Sequence, residues 1–520
     1  MQTRYDAIII GAGIGGLTVA ALLAKAGRSV LLLESQNAPG SSSSAIHSKQ
    51  ADGRSYHFDL DTSLLSGFQN GGALDWLAQQ LAIRFPSERL EPAMQVWLPD
   101  RTVTRYGDQR WQEERRRAFP EQADQAERFW KHQEKLAQQL ERLVHHSPYL
   151  PVKSLSDLIH LLPKLRPSML ALLPQRGRTV GDELRRYQLT DRALRSFIDA
   201  QLLASAQTRA DQCAWLFGST SLDLPRQGVY YLYGGAATLA KQLADAFVRD
   251  GGDLRYHTAV DSVITNGRRA VAVRTSDGSL YYGDHIVANT TLQHVAELLD
   301  NKPLALQKLI AKRSHSYGIF PLYLGLDEAA IPAGLPNHHQ VVLDYHTPHA
   351  EANTIFISLH PAKDGSRAPH GERALTLSAQ ISLPDWKDAR AKGRDHYNER
   401  KAQLSERMLA ALERVIPNLS QHIRYQHSGS PVIFEHYTRP ASGILGSLSQ
   451  GSQINSFNSL GPRALQLARL WMVGDSSFSG QNTATITQNG IRVFLEIQAA
   501  LDWSARRREL AARRARHAEE

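Results

Sequence analysis

With one cysteine in 520 residues, Cys213, the chain can form no internal disulfide and no cysteine-ligated zinc or iron–sulfur site. That usage suits the reducing cytoplasm. No H-E-x-x-H spacing occurs among the 21 histidines, so no metal is expected. The adjacent pairs His145–His146 and His338–His339 sit in polar segments and read as solvated loop histidines. Aromatic residues do not interleave with basic ones, which argues against a nucleic-acid platform despite a net charge of +9. The excess lies largely in "RWQEERRRAF" and the tail "SARRRELAARRARHAEE", read as solvated helical faces. An acidic metabolite or a membrane face is left as the anionic partner. A signal peptide is not indicated either: the start is almost neutral, Asp6 precedes the apolar run, and no small-residue cleavage site follows.

What is present begins with "MQTRYDAIIIGAGIGGLTVAALLAKAG", uncharged from Ala7 to Ala24 and close to the roughly 20 residues of a spanning helix. The glycine spacing decides between anchor and cradle. Gly11, Gly13 and Gly16 form G-x-G-x-x-G, with Gly15 inside it, directly after Ile8-Ile9-Ile10 and before a helix-favouring run. In such a strand–turn–helix unit the first glycine makes the turn. The second lets backbone approach a pyrophosphate, and the third packs helix on strand. Gly27 ends the helix, "SVLLLE" reads as a second buried strand, and Glu34 closes it at the position of a ribose-binding carboxylate. A carboxylate there repels a 2′-phosphate, so FAD or NAD is expected and NADP is not.

The expected architecture is α/β: a Rossmann-like FAD-binding domain built from discontinuous segments, an inserted helical domain and an α+β substrate domain. Its segments are 1–71, 225–300 and 449–503 for the cofactor, 72–224 for the helical insertion, 301–448 for the substrate domain and 504–520 for a basic tail. Within 225–300 the pattern reads as helix, strand, and hairpins through "NG" and "DG". The segment "LWMVGDSSFSGQNTATITQNGIRVFLEIQAAL" repeats the opening logic: apolar strand, Gly474-Asp475, a hydroxyl-rich loop, and a helix starting near Thr485. Its N-terminal dipole would stabilise the negative charge that develops on a reduced isoalloxazine, something a nicotinamide does not need.

Five stretches together, "DAIIIGAGIGGLTVAALLAKAGRSVLLLE", "HFDLDTSLL", "QGVYYLYGGAATLAKQLADAFVRDGGDLRY", "VIFEHYTRPASGILG" and "MVGDSSFSGQNTATITQNGIRV", resemble the phytoene-desaturase-like branch of FAD-dependent amine-oxidase-fold enzymes. That branch holds carotenoid desaturases, carotenoid isomerases and retinol saturases, and the resemblance runs nearly end to end. It implies that Gly11, Gly13, Gly16 and Glu34 bind the ADP half of FAD, that backbone at Val260 meets the adenine, and that Gly474 and Asp475 meet the ribityl chain and pyrophosphate. Relatives have a paired glycine after the ribose-binding glutamate; here "APGSSSSA" has one, and serine hydroxyls such as Ser41 would replace it as phosphate donors. Relatives also follow FD-x with Gly-Pro or Gly-Ala, where this chain has Asp61-Thr62. Asp61 is then an acid or base beside the flavin, or a cap for the next turn.

The resemblance implies a long isoprenoid substrate in an apolar tunnel. Desaturation takes a hydride from an allylic carbon and a proton from its neighbour. Glu435 in "VIFEHYTRP" is the candidate carboxylate to stabilise cationic character in the polyene, or else it pairs with Arg439. Two other readings of the same fold are an FAD oxidase of a polar amine and a flavin-free prenyl-binding escort. Lipid-soluble substrate implies peripheral membrane association, with "LPVKSLSDLIHLLPKLRPSMLALLPQRGR" as the membrane foot.

Overall fold

The computed structural model describes residues 4–40, 45–50, 52–60, 64–146, 173–175, 177–206, 208–300, 302–311, 317–347, 352–429, 467–474 and 482–519. The chain starts with β1 (Arg4–Ile10), α1 (Ile14–Lys25) and β2 (Val30–Leu33). The helix stops where Gly27 N–H bonds Ala24 O and Arg28 N–H bonds Leu23 O, the paired C-terminal motif that a glycine permits. A hairpin, β3 (Ala45–Lys49) and β4 (Ser55–Asp59), precedes α2 (Ala73–Leu81), β5 (Ser87–Leu90), β6 (Met94–Trp97) and β7 (Thr102–Arg105). Then come α3 (Arg110–Ala118), α4 (Ala123–His146), α5 (Val180–Arg186), α6 (Arg192–Ala206) and α7 (Trp215–Leu222). Next are β8 (Val229–Leu232), α8 (Ala236–Arg249), β9 (Asp253–Arg255), and the hairpin strands β10 (Val260–Asn266), β11 (Arg269–Thr275) and β12 (Leu280–Ala288). The later part holds β13 (Tyr317–Asp327), β14 (His338–Val342), β15 (Thr354–Leu359), β16 (Glu372–Ser382), α9 (Leu383–Ala391), α10 (Arg394–Glu413) and β17 (Ile423–Ser428). It ends with β18 (Leu470–Met472) and α11 (Thr483–Glu519).

Two seven-stranded sheets organise these elements. The first has the order β10-β11-β12-β1-β2-β9, with β18 also paired to β12, and its central strands are parallel. Such strands are buried on both faces, which is why β1 and β2 read as continuous apolar runs. One face packs on α1, α2, α8 and α11 through Leu17, Leu74, Leu243 and Ile497. Residues 4–34, 236–288, 470–472 and 483–503 thus meet in one layer although they are far apart in sequence.

The second sheet has the order β17-β13-β16-β15-β14-β6-β7. One face, including Phe320, Leu322, Ile357 and Leu377, packs on α9 and α10. The other turns toward β4 and α6, where Gln201 donates to Gln340 Oε1 at 2.6 Å. Three sequence expectations change here. Among the described residues the stretch 72–224 carries strands as well as helices; two of them lie in "PAMQVWLPDRTVTRY", which has a period of two, burying Met94, Val96 and Leu98. Strand β6 pairs with β14 in parallel, so the insertion and the substrate region share a sheet. His338 and His339 are not loop histidines: they open β14, whose five residues are all buried. In "RWQEERRRAF", Trp111 is buried and Arg115 pairs with the buried Glu127, so that helix is not wholly a solvated face.

Candidate active site

The turn between β1 and α1 is shaped by close backbone approach. Gly11 has φ of +93°, and a Cβ there would lie 2.8 Å from Asn289 O. A Cβ on Gly16 would meet Gly11 O at 2.5 Å and Ile9 Cγ2 at 3.2 Å, so the third glycine does pack helix on strand. At Gly13 the obstacle is the Asn289 side-chain amide, which sits well inside contact distance of the Cβ position. Asn289 follows β12, where its N–H bonds Ile10 O at 2.9 Å and its Oδ1 accepts Gly16 N–H at 3.1 Å. A Cβ on Gly15 would lie 2.9 Å from Gly474 N, and one on Gly474 3.0 Å from Asn289 Oδ1. One asparagine therefore joins the N-terminal glycine turn to the C-terminal segment. Its Nδ2 donates to no described residue.

Glu34 is buried at the end of β2. Its Oε2 accepts Ala12 N–H at 2.7 Å, and its Oε1 accepts Gln36 N–H at 2.8 Å and the Ser35 hydroxyl at 3.3 Å. A carboxylate has about four acceptor positions, so about one remains, on Oε2, for a ribose hydroxyl. Thr258 N–H bonds Glu34 O at 2.8 Å, which brings the segment leading to Val260 beside it. Gly40 N–H bonds Ala12 O at 2.9 Å, so Gly40 lies at the cradle rim. At the other end, Asn482 Oδ1 accepts Thr485 N–H at 2.9 Å and caps α11, whose first residue is Thr483. The Thr483 hydroxyl donates to Ser66 O at 3.0 Å, tying 64–67 to that helix start.

A buried charge cluster locks β4 to the rest. Arg367, 2% exposed, pairs with Asp59 at 2.8 Å, donates to Gly234 O at 3.1 Å and lies 3.2 Å from His360 Nε2. Because the guanidinium only donates, His360 Nε2 accepts, leaving the proton on Nδ1, 3.4 Å from Tyr231 OH. Tyr231 in turn donates to Asp364 at 2.6 Å. Burial, then the adjacent Arg367 charge, hold His360 well below the ordinary histidine pKa, so it is neutral. Gly235, at φ +79°, admits this packing: a Cβ there would fall on Asp59 and Arg367. Just beyond, Tyr323 OH donates to Leu60 O at 2.7 Å, fixing the strand end that leads to Asp61.

Beside this cluster lies a cavity of about 70 Å³ on the inner face of the second sheet. Leu64, Met94, Leu203, Ile319 and Phe356 give it apolar walls. His338, Gln340 and Gln380 add polar atoms. Burial takes the His338 pKa down to about 4.

Of the residues expected from the sequence, the structure gathers Gly11, Gly13, Gly15, Gly16, Glu34, Gly474 and Val260 around the end of the first sheet, with Thr485 in the first turn of α11. Ser41, Asp61, Glu435 and Asp475 lie outside the described residues, as do 150–172 and 176 of the membrane foot, 150–178. Sequence reading missed Asn289, Asp59, Arg367, His360 and Tyr231. Asn289 had a usable signal: it is the first polar residue after an apolar strand, at the carboxyl end where α/β sheets bind ligands. Among the described residues no cluster of His, Cys, Asp or Glu could hold a metal, and no helix is long and apolar enough to cross a membrane.

The cradle fits a flavin dinucleotide: a glycine turn with no room for side chains, an amide donor at its centre that bonds no described residue, and a buried carboxylate with an acceptor position to spare one strand away. Residues 14–438 match the family described as flavin containing amine oxidoreductase. Over 518 residues the chain is 27% identical to a chloroplastic prolycopene isomerase of Daucus carota, covering 96% of this chain and 80% of that one. It is 25% identical over 513 residues to a 4,4'-diapophytoene desaturase of Methylomonas sp, covering 94% of each. The solved structure of an oxidoreductase from Methanosarcina mazei shares the fold at a TM-score of 0.63 and 14% identity, over 94% of this chain and 99% of that one. The cofactor is FAD, and the chain belongs to the flavin-containing amine oxidoreductase family.

Proposed function

We propose that the protein is an FAD-dependent oxidoreductase of a long isoprenoid polyene, a carotenoid desaturase or isomerase. The observation that carries this is the likeness, across 94–96% of the chain, to an isomerase and a desaturase of such polyenes. The apolar walls beside β4 and α6 suit the same substrate class.

Gly11, Gly13, Gly15, Gly16 and Ser41 would hold the pyrophosphate through backbone and hydroxyl donors. Glu34 would accept the ribose hydroxyls, and Val260 backbone would meet the adenine. Gly474, Asp475 and Thr485 would hold the ribityl end, with the N-terminal N–H groups of α11 offering partial positive charge. When bound, FAD supplies two-electron redox chemistry at its ring. The protein's own part is orientation. The Asp59–Arg367 pair and the Tyr323–Leu60 bond fix the strand that enters 61–63, while Leu64 and Phe356 exclude water from the polyene. Asp61 and Glu435 are the proposed carboxylates of the site, Asp61 capping the following turn and Glu435 stabilising positive charge on the substrate. We also place the protein in the cytoplasm, peripherally on a membrane, through 150–178.

Anaerobic mixing of the purified holoprotein with carotenoid precursors or with amines tests this reading. Spectral change of the flavin with polyenes and none with amines is expected. Reduction by an amine, with polyenes inert, would contradict it.

A further inference from the structure

The inner face of the second sheet is more polar than a hydrocarbon substrate requires. In register across five strands stand His338, Ser358, Thr376, Tyr323 and His427. Tyr323 is satisfied by Leu60 O. Gln340, on the same face, is engaged at both ends, accepting from Gln201 at 2.6 Å and donating to Ala200 O at 3.0 Å. Polar atoms are left over on this face, His338 and Gln380 at the cavity and Thr376 beside Ser358 on the next strand. His338 uses Nδ1 toward Ser358 Oγ at 2.9 Å and makes no other hydrogen bond with a described residue. Thr376 Oγ1 is buried with no partner among the described residues. The Gln380 carboxamide lines the cavity and bonds no described residue.

We propose that this cavity binds a hydroxyl group on the polyene, and that His338 selects for it. The inference rests on the polyene reading above and narrows it to an oxygen-bearing isoprenoid. A neutral imidazole has one N–H and one bare nitrogen, and the Ser358 hydroxyl can donate to Nδ1 or accept from it. His338 Nε2 is therefore a donor in one tautomer and an acceptor in the other. A hydroxyl satisfies both, whereas a carbonyl or ether satisfies one. Gln380 likewise offers a donor and an acceptor. A hydrocarbon end would leave these groups desolvated and unpaired, and sites built for a hydroxyl discriminate against analogues that lack one. The volume, about 70 Å³, suits an end group of the polyene.

The test uses FAD-loaded full-length protein in mild detergent and two probes of equal carbon skeleton, lycopene and 1-hydroxylycopene. Equilibrium binding is followed by polyene absorbance. The hydroxylated probe should bind about tenfold tighter, the value of one to two buried neutral hydrogen bonds. His338→Phe should bring the ratio close to one, and His338→Gln should restore most of it. FAD content and melting temperature report whether each variant is intact; should His338→Phe lose its flavin, Gln380→Leu must lower the ratio severalfold instead. Equal binding of the two probes by the natural protein, or an unchanged ratio in intact His338→Phe, overturns the hydroxyl proposal alone. Binding of neither probe overturns the polyene reading beneath it.

Discussion

Replacing Arg367 by Met removes the cation at the junction between β4, β8 and the second sheet. The side chain is 2% exposed, and its partner Asp59 is 21% exposed. At 2.8 Å and an effective dielectric constant near 20, their attraction is about 6 kcal/mol before desolvation is subtracted. Breaking a buried pair from one side usually costs about 3–5 kcal/mol, because the remaining charge stays behind. Partial solvent access at Asp59 places the loss near the lower end, about 3 kcal/mol. Scaling from about 2–4 °C per kcal/mol gives a fall in Tm of about 6–12 °C for a cooperative unit. Circular dichroism melting of Arg367→Met, Asp59→Asn and the double variant measures it. The double variant should be more stable than the sum of the two singles by at least 1 kcal/mol, since the orphaned charge is gone. Additive singles, or a shift under 1 °C in Arg367→Met, would refute the reasoning.

Three further outcomes follow from the site. Asn289→Asp puts a carboxylate where an amide donor that bonds no described residue faces the glycine turn, and should weaken FAD binding to the apoprotein at least tenfold by fluorescence titration. Riboflavin, which has no phosphate, should bind that variant as it binds the natural protein. Burial holds His338 and His339 near pKa 4, while an unfolded histidine titrates near 6.5. Between those values the unfolded chain binds more protons, so stability is full above pH 6.5 and declines toward pH 4, by up to about 1.4 kcal/mol per pH unit for each histidine. Urea unfolding from pH 7 to pH 5 should show the decline, with a shallower slope in His338→Gln; a flat profile contradicts the burial. Flotation with anionic liposomes should show binding that weakens with salt and with Leu161→Glu and Leu162→Glu, and absence of binding at low salt would remove 150–178 as the foot.

What could be read from sequence was local. The glycine turn, the stop at Gly27 and the hairpins through Asn266-Gly267 and Asp277-Gly278 are set by neighbours in the chain, where sterics leave few choices. Glu34 was legible because strand length fixes its distance from the turn. Asn289 meets Gly16 across 273 positions, and Arg367 meets Asp59 across more than 300, so no short window contains either pair. His338 and His339 misled because "NHHQVVL" is polar at its start. A strand whose inner face is itself polar loses the alternation by which strands are recognised.

Expression in a host that accumulates carotenoid precursors, followed by chromatographic pigment analysis, tests the central claim most directly, with Gly13→Glu as the flavin-free control. Any side chain at that position collides with Asn289, and a carboxylate adds repulsion toward a pyrophosphate. The account predicts that the natural protein changes the double-bond number or geometry of a precursor and that Gly13→Glu leaves the pigments as they were. Unchanged pigments in the presence of soluble, FAD-loaded natural protein would contradict it.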